Sequence, residues 1–285
     1  MPSVYAKWAV ASIFDWAWYI VAKFYLVALL LSDSQHPRKP FNARGAYVIR
    51  CEACQMPEVA CLCPYRSKVK AKAEFALLTH PREFYKPTNT GRLIDDVVQG
   101  TQTFKWHRIE QEQGLKDLLA DRQKQVYIVF PRDDDYVERM ATPQTDPSIT
   151  NVFMILDGTW RQARRAFRHS DYLKDLPIVD LQTPAVSQYK LRKAEQDHHL
   201  CTAEVAIGLL QQIDDEHSAR VLSAYFGLFN GLYAKARKSF IVSPEEMTEM
   251  TDRLIAAYEA HPHTDRAWLK RLIDLEHKRY RAIVK

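Results

Sequence analysis

The sequence predicts an α/β domain with a mostly parallel sheet flanked by helices, and three observations carry that prediction. Short apolar runs recur at Phe75–Thr79, Thr103–Arg108, Val126–Phe130, Val152–Asp157 and Pro177–Leu181. Helix-length segments, "GRLIDDVVQ", "GLKDLLADR" and "TWRQARRAFRHS", lie between them. Strands alternating with helices form βαβ units, and runs that stay apolar instead of alternating belong to a sheet covered on both faces. With 47% apolar and 26% charged residues, the chain has enough hydrophobic material for a real core. Its 285 residues suit one sizeable domain with appendages or two small ones. The net charge of +5 permits nucleic-acid contact without demanding it, so the placement of the basic residues must decide.

Taken in order, the elements begin with an apolar stretch, Trp8 to Leu31, long enough to cross a bilayer. Asp15 and Lys23 interrupt it, each at a cost of roughly 2.5–3.5 kcal/mol at a membrane centre. Asp15, Tyr19 and Lys23 also share one helical face, as in an interfacial or packed helix. No small-residue cleavage site follows. An appendage is therefore favoured over a membrane contact through residues 8–31. Ser32–Gly45, polar and with two prolines, reads as a linker. The expected organisation is an appendage and linker at 1–40, a cysteine segment at 41–73, a main domain at 74–238 and a helical extension at 239–285.

Four of the five cysteines, Cys51, Cys54, Cys61 and Cys63, form a C-x2-C-x6-C-x-C pattern. In a chain of this length such crowding suits metal binding in a reducing cytoplasm better than a disulfide framework. Two tight thiol pairs joined by a short turn at Pro57 and Glu58 can close a tetrahedral zinc site, with an iron–sulfur or redox role as the alternative. A site filled by four sulfurs has no open position, so it organises structure and does not hydrolyse.

Ligands of a parallel sheet sit where strands run out into loops. The first such loop, "THPREFYKPTNTGRLI", offers Asn89 or Thr90 as a helix cap and Gly91 for close backbone approach; a lone His80 reads as structural. The second, "LDGTWRQARRAFR", ends a strand at Asp157 and opens a helix whose capping box is Thr159 with Gln162. Trp160, Ala163 and Phe167 would form its buried face. Arg161, Arg164, Arg165 and Arg168 fall at i, i+3, i+4, i+7 as a stripe of one sign, which favours phosphate over a mixed solvated face. The third loop runs from Leu181 through Ser187, Tyr189, Arg192, Lys193, His198 and His199 to a helix capped at Thr202 with Glu204 in its first turn; the paired histidines have no carboxylate partner for a metal. Cys201 reads as a small apolar residue at that helix start. Beyond it the chain is nearly all helical, ending in the basic "DRAWLKRLIDLEHKRYRAIVK".

The four-cysteine segment, "PTNTGRLI", "LDGTWRQAR" and "YKLRKA…CTAEVA", in this order over about Phe41 to Ala234, resemble the DTW-domain family of tRNA-uridine aminocarboxypropyltransferases, specifically its bacterial branch. The resemblance implies a SPOUT-like fold with a knotted C-terminal crossing. It implies transfer of the 3-amino-3-carboxypropyl group from S-adenosylmethionine to N3 of a tRNA uridine, at variable-loop position 47 in that branch. It puts catalysis at Asp157, Thr159 and Trp160 and the donor against Asn89, Thr90, Gly91, Leu156, Cys201, Thr202 and Glu204. Trp160 is expected to pack behind the site, with Asp157 facing the mouth of the sheet as the general base. Arg92, Arg161, Arg164, Arg165, Arg168, Tyr189, Arg192 and Lys193, with the zinc segment, would meet tRNA phosphates. The alternatives are an RNA methyltransferase using the same donor and a non-catalytic zinc-bearing RNA-binding protein. The apolar N-terminus and the helices beyond about Lys238 lie outside the resemblance.

Overall fold

The structure, a computed structural model, describes residues 48–182, 200–237 and 243–283. The stretch 8–31, the residues Tyr189, Arg192, Lys193, His198 and His199, and the region between the fifth strand and Leu200 where a knotted crossing would run all lie outside the described residues.

Five strands form one sheet: β1 (Glu74–Thr79), β2 (Gln102–Lys105), β3 (Lys124–Val129), β4 (Thr150–Asp157) and β5 (Ile178–Val179). Their order is β2-β1-β4-β3-β5 and every pairing is parallel. The helices are α1 (Gly91–Val97), α2 (Gln113–Ala120), α3 (Trp160–His169), α4 (Thr202–Gln212), α5 (Glu216–Arg237), α6 (Pro244–Ala260) and α7 (Arg266–Ile283). The second and fifth strands are shorter than the apolar runs suggested. Trp106, just past the end of β2, still donates its backbone N–H to Thr79 O, at 2.8 Å, and its indole N–H donates to Ser170 Oγ at 2.9 Å.

Side chains alternate along each strand, so the sheet divides its apolar residues between two cores. Phe75, Leu77, Tyr127, Phe153 and Ile155 face α1, α4, α5, α6 and α7. Ala76, Leu78, Phe104, Ile128, Met154 and Leu156 face α2 and α3. Covering on both faces is the reason the strands carry unbroken apolar runs.

The cysteine segment and the C-terminal hairpin join the first of these cores. Met56, Leu62 and Tyr65 are buried in it together with Leu254, Tyr258, Leu269 and Leu272. Tyr65 Oη donates to Glu276 Oε1 (3.1 Å) and Tyr258 Oη to Ser67 O (2.8 Å), fastening segment and hairpin to each other. No helix among the described residues is long and apolar enough to cross a membrane.

Candidate active site and metal centre

The sheet register sets the end of β4 beside the end of β1. Thr79 and Asp157 are direct partners, and His80 N–H donates to Asp157 O at 2.8 Å. Just past them the chain turns into loops on both strands, and α4 begins over the same spot.

Asp157 is the meeting point. Its carboxylate is only 5% exposed and does not face an open mouth as the sequence reading had it. Asn89 Nδ2 donates to Oδ2 and Thr202 Oγ1 donates to Oδ1, both at 2.6 Å, with a further hydrogen bond from Thr79. Burial pushes the Asp157 carboxyl above its ordinary range, and the bonds from Asn89, Thr202 and Thr79 pull part of the way back. Glu83 adds to the rise from the first loop. This carboxylate is 1% exposed and paired with Lys86 Nζ at 2.5 Å. Sequence reasoning missed Glu83, because a lone glutamate in a polar loop carries no local sign that it will be enclosed.

Two expected caps, Thr90 and Thr202, and the backbone N–H expected to be open at Gly91 are redeployed. Thr90 occupies the N-cap position of α1 but makes no side-chain cap; its hydroxyl accepts from Ala203 N–H, at 3.3 Å, on α4. Gly91 N–H is not left for a ligand, because Asn89 Oδ1 accepts it at 2.7 Å. The absent side chain of Gly91 instead makes room for the carboxylate: an added Cβ would stand 3.2 Å from Asp157 Cγ and Oδ2. Thr202 is the first residue of α4 and not its cap, a place taken by Cys201, whose N–H donates to Glu204 Oε2 at 2.8 Å. For Thr90 and Thr202 a partner far along the chain takes the hydroxyl, whereas the Gly91 N–H is taken by Asn89, two residues before it. Burial first, then the charge of Glu204, raises the Cys201 thiol to about 12, so it stays neutral. The Leu156 side chain lies in the core on the opposite face of the sheet.

The α3 capping box forms as expected, with Thr159 N–H to Gln162 Oε1 at 2.7 Å and Gln162 N–H to Thr159 Oγ1 at 3.4 Å. The buried face differs. Ala163 and Ala166 are its buried residues, whereas Trp160 is 36% exposed and does not pack behind the site. As the first helical residue, Trp160 lies back over the end of β3 and stacks on Phe130 with ring centroids 5.3 Å apart; Phe130 in turn stacks on Phe167 at 4.2 Å. Arg161, Arg164, Arg165 and Arg168 are all exposed. Arg92 is half-buried, donates to Pro87 O at 2.6 Å and lies over the Phe229 ring, so it braces the loop in this structure. His80 stacks on Trp106 and its Nδ1 accepts from Arg82 N–H, as a structural histidine does.

The four cysteine sulfurs lie within 4.8 Å of one another. Cys51 and Cys63 are 3.7 Å apart and Cys54 and Cys61 3.8 Å apart. A tetrahedron of thiolates about 2.3 Å from zinc has edges of about 3.8 Å, so the donor set fits that ion. The turn that brings the pairs together uses Gln55 in the left-handed region (φ 57°) and a short 3-10 helix, Glu58–Ala60.

Fold and site together define a parallel α/β protein with a buried carboxylate joining three loops at the strand ends and a segment whose four cysteine sulfurs could hold a metal ion. The chain belongs to the DTW-domain family, whose model matches residues 48–234. It is 25% identical over 211 residues to tRNA-uridine aminocarboxypropyltransferase 2 of Mus musculus, covering 65% of this chain and 70% of the relative. The protein of that name from Drosophila melanogaster is also 25% identical, over 181 residues covering 60% and 69%, and that of Macaca fascicularis matches with the same identity and coverage as the mouse protein. These relatives are animal proteins, so the family stands without the narrowing to a bacterial branch. No solved structure matches the chain.

Proposed function

We propose that this chain transfers the 3-amino-3-carboxypropyl group of S-adenosylmethionine to N3 of a tRNA uridine, forming acp3U and methylthioadenosine. The observation that carries the reading is the joining of three loops at Asp157, through Asn89 and Thr202, in a chain of a family whose matched relatives bear that activity in their names.

The chemistry follows from the residues. N3 of uracil attacks only after losing its proton, and Asp157 is assigned as the acceptor. A carboxylate offers about four lone-pair positions and three are taken here, so one is left for that proton. Burial raises the carboxyl's basicity toward that of the group it must deprotonate. N3 then forms its bond to the donor's γ-carbon, the carbon–sulfur bond breaks, and sulfur keeps the electron pair. Most of the remaining work is positioning, since the γ-carbon and not the methyl carbon must face N3. Asn89, Thr90, Gly91, Leu156, Cys201, Thr202 and Glu204 are assigned to the donor's side, with Leu156 acting through its backbone. Thr159 and Trp160 border the reacting base.

The exposed arginines of α3, with Arg192, Lys193, Tyr189 and the cysteine segment, are assigned to the tRNA backbone. A base drawn out of its stack would enter the site, with position 47 of the variable loop as the proposed target. Cys51, Cys54, Cys61 and Cys63 would hold zinc as a structural ion. A SPOUT-like crossing between β5 and α4 completes the proposed fold.

The test is incubation of the protein and unmodified tRNA with S-adenosylmethionine labelled in the carboxyl carbon or in the methyl group. Carboxyl label in tRNA is expected. Methyl label instead points to a methyltransferase, and tRNA binding without either label to a non-catalytic RNA-binding protein.

A further inference from the structure

The C-terminal hairpin lies outside the residues matched by the family, and its two helices carry opposite charge. On α6 the exposed ionisable residues are Glu245, Glu246, Glu249, Asp252 and Glu259 against one arginine, Arg253, which pairs with Glu249 within the helix. On α7 they are Arg266, Lys270, Arg271, Asp274, His277 and Lys278. Neighbouring helices of opposite sign would be expected to pair across their seam. Among the described residues no α6 carboxylate forms an ion pair with an α7 cation. Arg266 is held at the hairpin turn, donating to Glu259 O and His261 O, while Lys270, Arg271 and Lys278 stand in solvent.

The apolar side of α7 is already used. Leu269 and Leu272 are buried in the core and Trp268 packs edge-on against Tyr258. What α7 presents outward among the described residues is therefore net cationic, Lys270, Arg271 and Lys278 around one carboxylate, Asp274, with no exposed large apolar side chain, which suits a phosphate backbone and not the interior of a lipid surface. Eight residues separate Lys270 from Lys278, about 12 Å along the axis, the scale of a run of neighbouring phosphates. The Tyr65–Glu276 bond ties this helix to the cysteine segment, so strip and segment are held as one unit.

We infer that the outer face of α7, through Lys270, Arg271 and Lys278, is a second docking strip for the phosphate backbone of the RNA substrate, separate from the α3 arginines. It rests on the reading of tRNA as the substrate. The strip acts by holding tRNA and takes no part in the reaction, so its loss raises KM for tRNA and leaves kcat at saturating tRNA unchanged.

The experiment measures binding of unmodified tRNA to the full chain between 50 and 200 mM salt, for the wild type, for Lys270→Glu/Arg271→Glu/Lys278→Glu, and for the milder triple glutamine variant. All three residues are exposed, and circular dichroism checks the fold; should the reversal variant misfold, the glutamine variant carries the test. The expected result is a tenfold or greater loss of affinity for the reversal variant. The slope of log K against log salt should also flatten by about 2 to 3, from roughly 0.7–0.9 per phosphate contact. Unchanged affinity and slope overturn the inference. So does a wild type that binds phosphatidylserine vesicles through these residues while tRNA binding is untouched. If the wild type transfers no group but still loses tRNA in the triple variant, the reaction is wrong and the strip stands. If the triple variant transfers with unchanged KM, the strip is wrong and the reaction stands.

Discussion

Replacing Asp157 in two different ways separates the two things its position implies, holding the loops and supplying charge. Asp157→Ala removes the acceptor of Asn89 Nδ2 and Thr202 Oγ1, both at 2.6 Å. Asn89 is only 7% exposed, so its amide is left buried and unsatisfied, at a cost of roughly 1–3 kcal/mol. Thr202 is half-exposed and can turn its hydroxyl to water, adding about 0.5–1.5 kcal/mol. Relief from burying a charge offsets part of this, and a net loss of about 2 kcal/mol is expected. Asp157→Asn keeps an oxygen for Asn89 and can point its own NH2 at Thr202 Oγ1, so the loops stay joined. It also removes the buried charge. The folded-state pKa of Asp157 lies above its unfolded value of about 3.9, so its contribution to stability is fully present below that value and declines as pH rises through the folded one. At neutral pH the wild type carries this cost and the asparagine variant does not. Asp157→Asn should therefore match the wild type within about 1 kcal/mol or exceed it at pH 7, with the difference shifting toward the wild type as pH approaches 4. Urea unfolding measures stability and carboxyl-labelled donor measures transfer. Both variants should lose transfer, by 10²-fold or more for a lost general base. Full stability in Asp157→Ala would refute the joining role; full-rate transfer by Asp157→Asn would refute the role as base.

Three further outcomes are expected. Purified protein should carry about one zinc per chain by elemental analysis, and Cys61→Ser or a strong chelator should remove it and lower Tm, because Met56, Leu62 and Tyr65 of the cysteine segment belong to the main core. Asp96→Ala should destabilise by about 3 kcal/mol in urea unfolding, since it strands the Arg66 guanidinium (3.1 Å) and the fully buried Tyr225 hydroxyl (3.0 Å) together. His261 should make the hairpin pH-sensitive. It is 1% exposed, its Nδ1 accepts from His263 N–H, and its Nε2 therefore donates to Ser218 Oγ. Burial holds its pKa below the ordinary value of about 6.5, so its stabilising contribution is present above that pH and is lost as pH falls through the folded value. Hydrogen-exchange protection factors in α6 and α7, corrected for the intrinsic pH dependence of exchange, should fall at pH 5 relative to pH 7.5 in the wild type and change less in His261→Asn.

What could be read along the chain was whatever neighbours decide. The five strands, the helices between them and the Thr159–Gln162 capping box depend on contacts within a few residues, and they appear where the apolar runs and the cap pattern put them, with the second and fifth strands shorter than their runs. The cysteine cluster was legible for the same reason, because four thiols within thirteen residues can hardly avoid one another. The polar groups of the site answer to distant partners instead. Thr90 and Thr202 have the residue type and place of helix caps, yet the hydroxyl of Thr90 binds a helix 113 residues away and that of Thr202 a carboxylate 45 residues away. Trp160 has the spacing of a core residue, but its position at the start of the helix sets it on Phe130, with a third of its surface in solvent. Glu83 reads as a loop charge until the assembled fold encloses it near Asp157, with Lys86 pairing it from the more exposed side. Local periodicity selects strand or helix, and order in the chain selects parallel pairing. Which buried donor meets which acceptor depends on the sheet register and the helix packed over it, and those form only in the assembled fold.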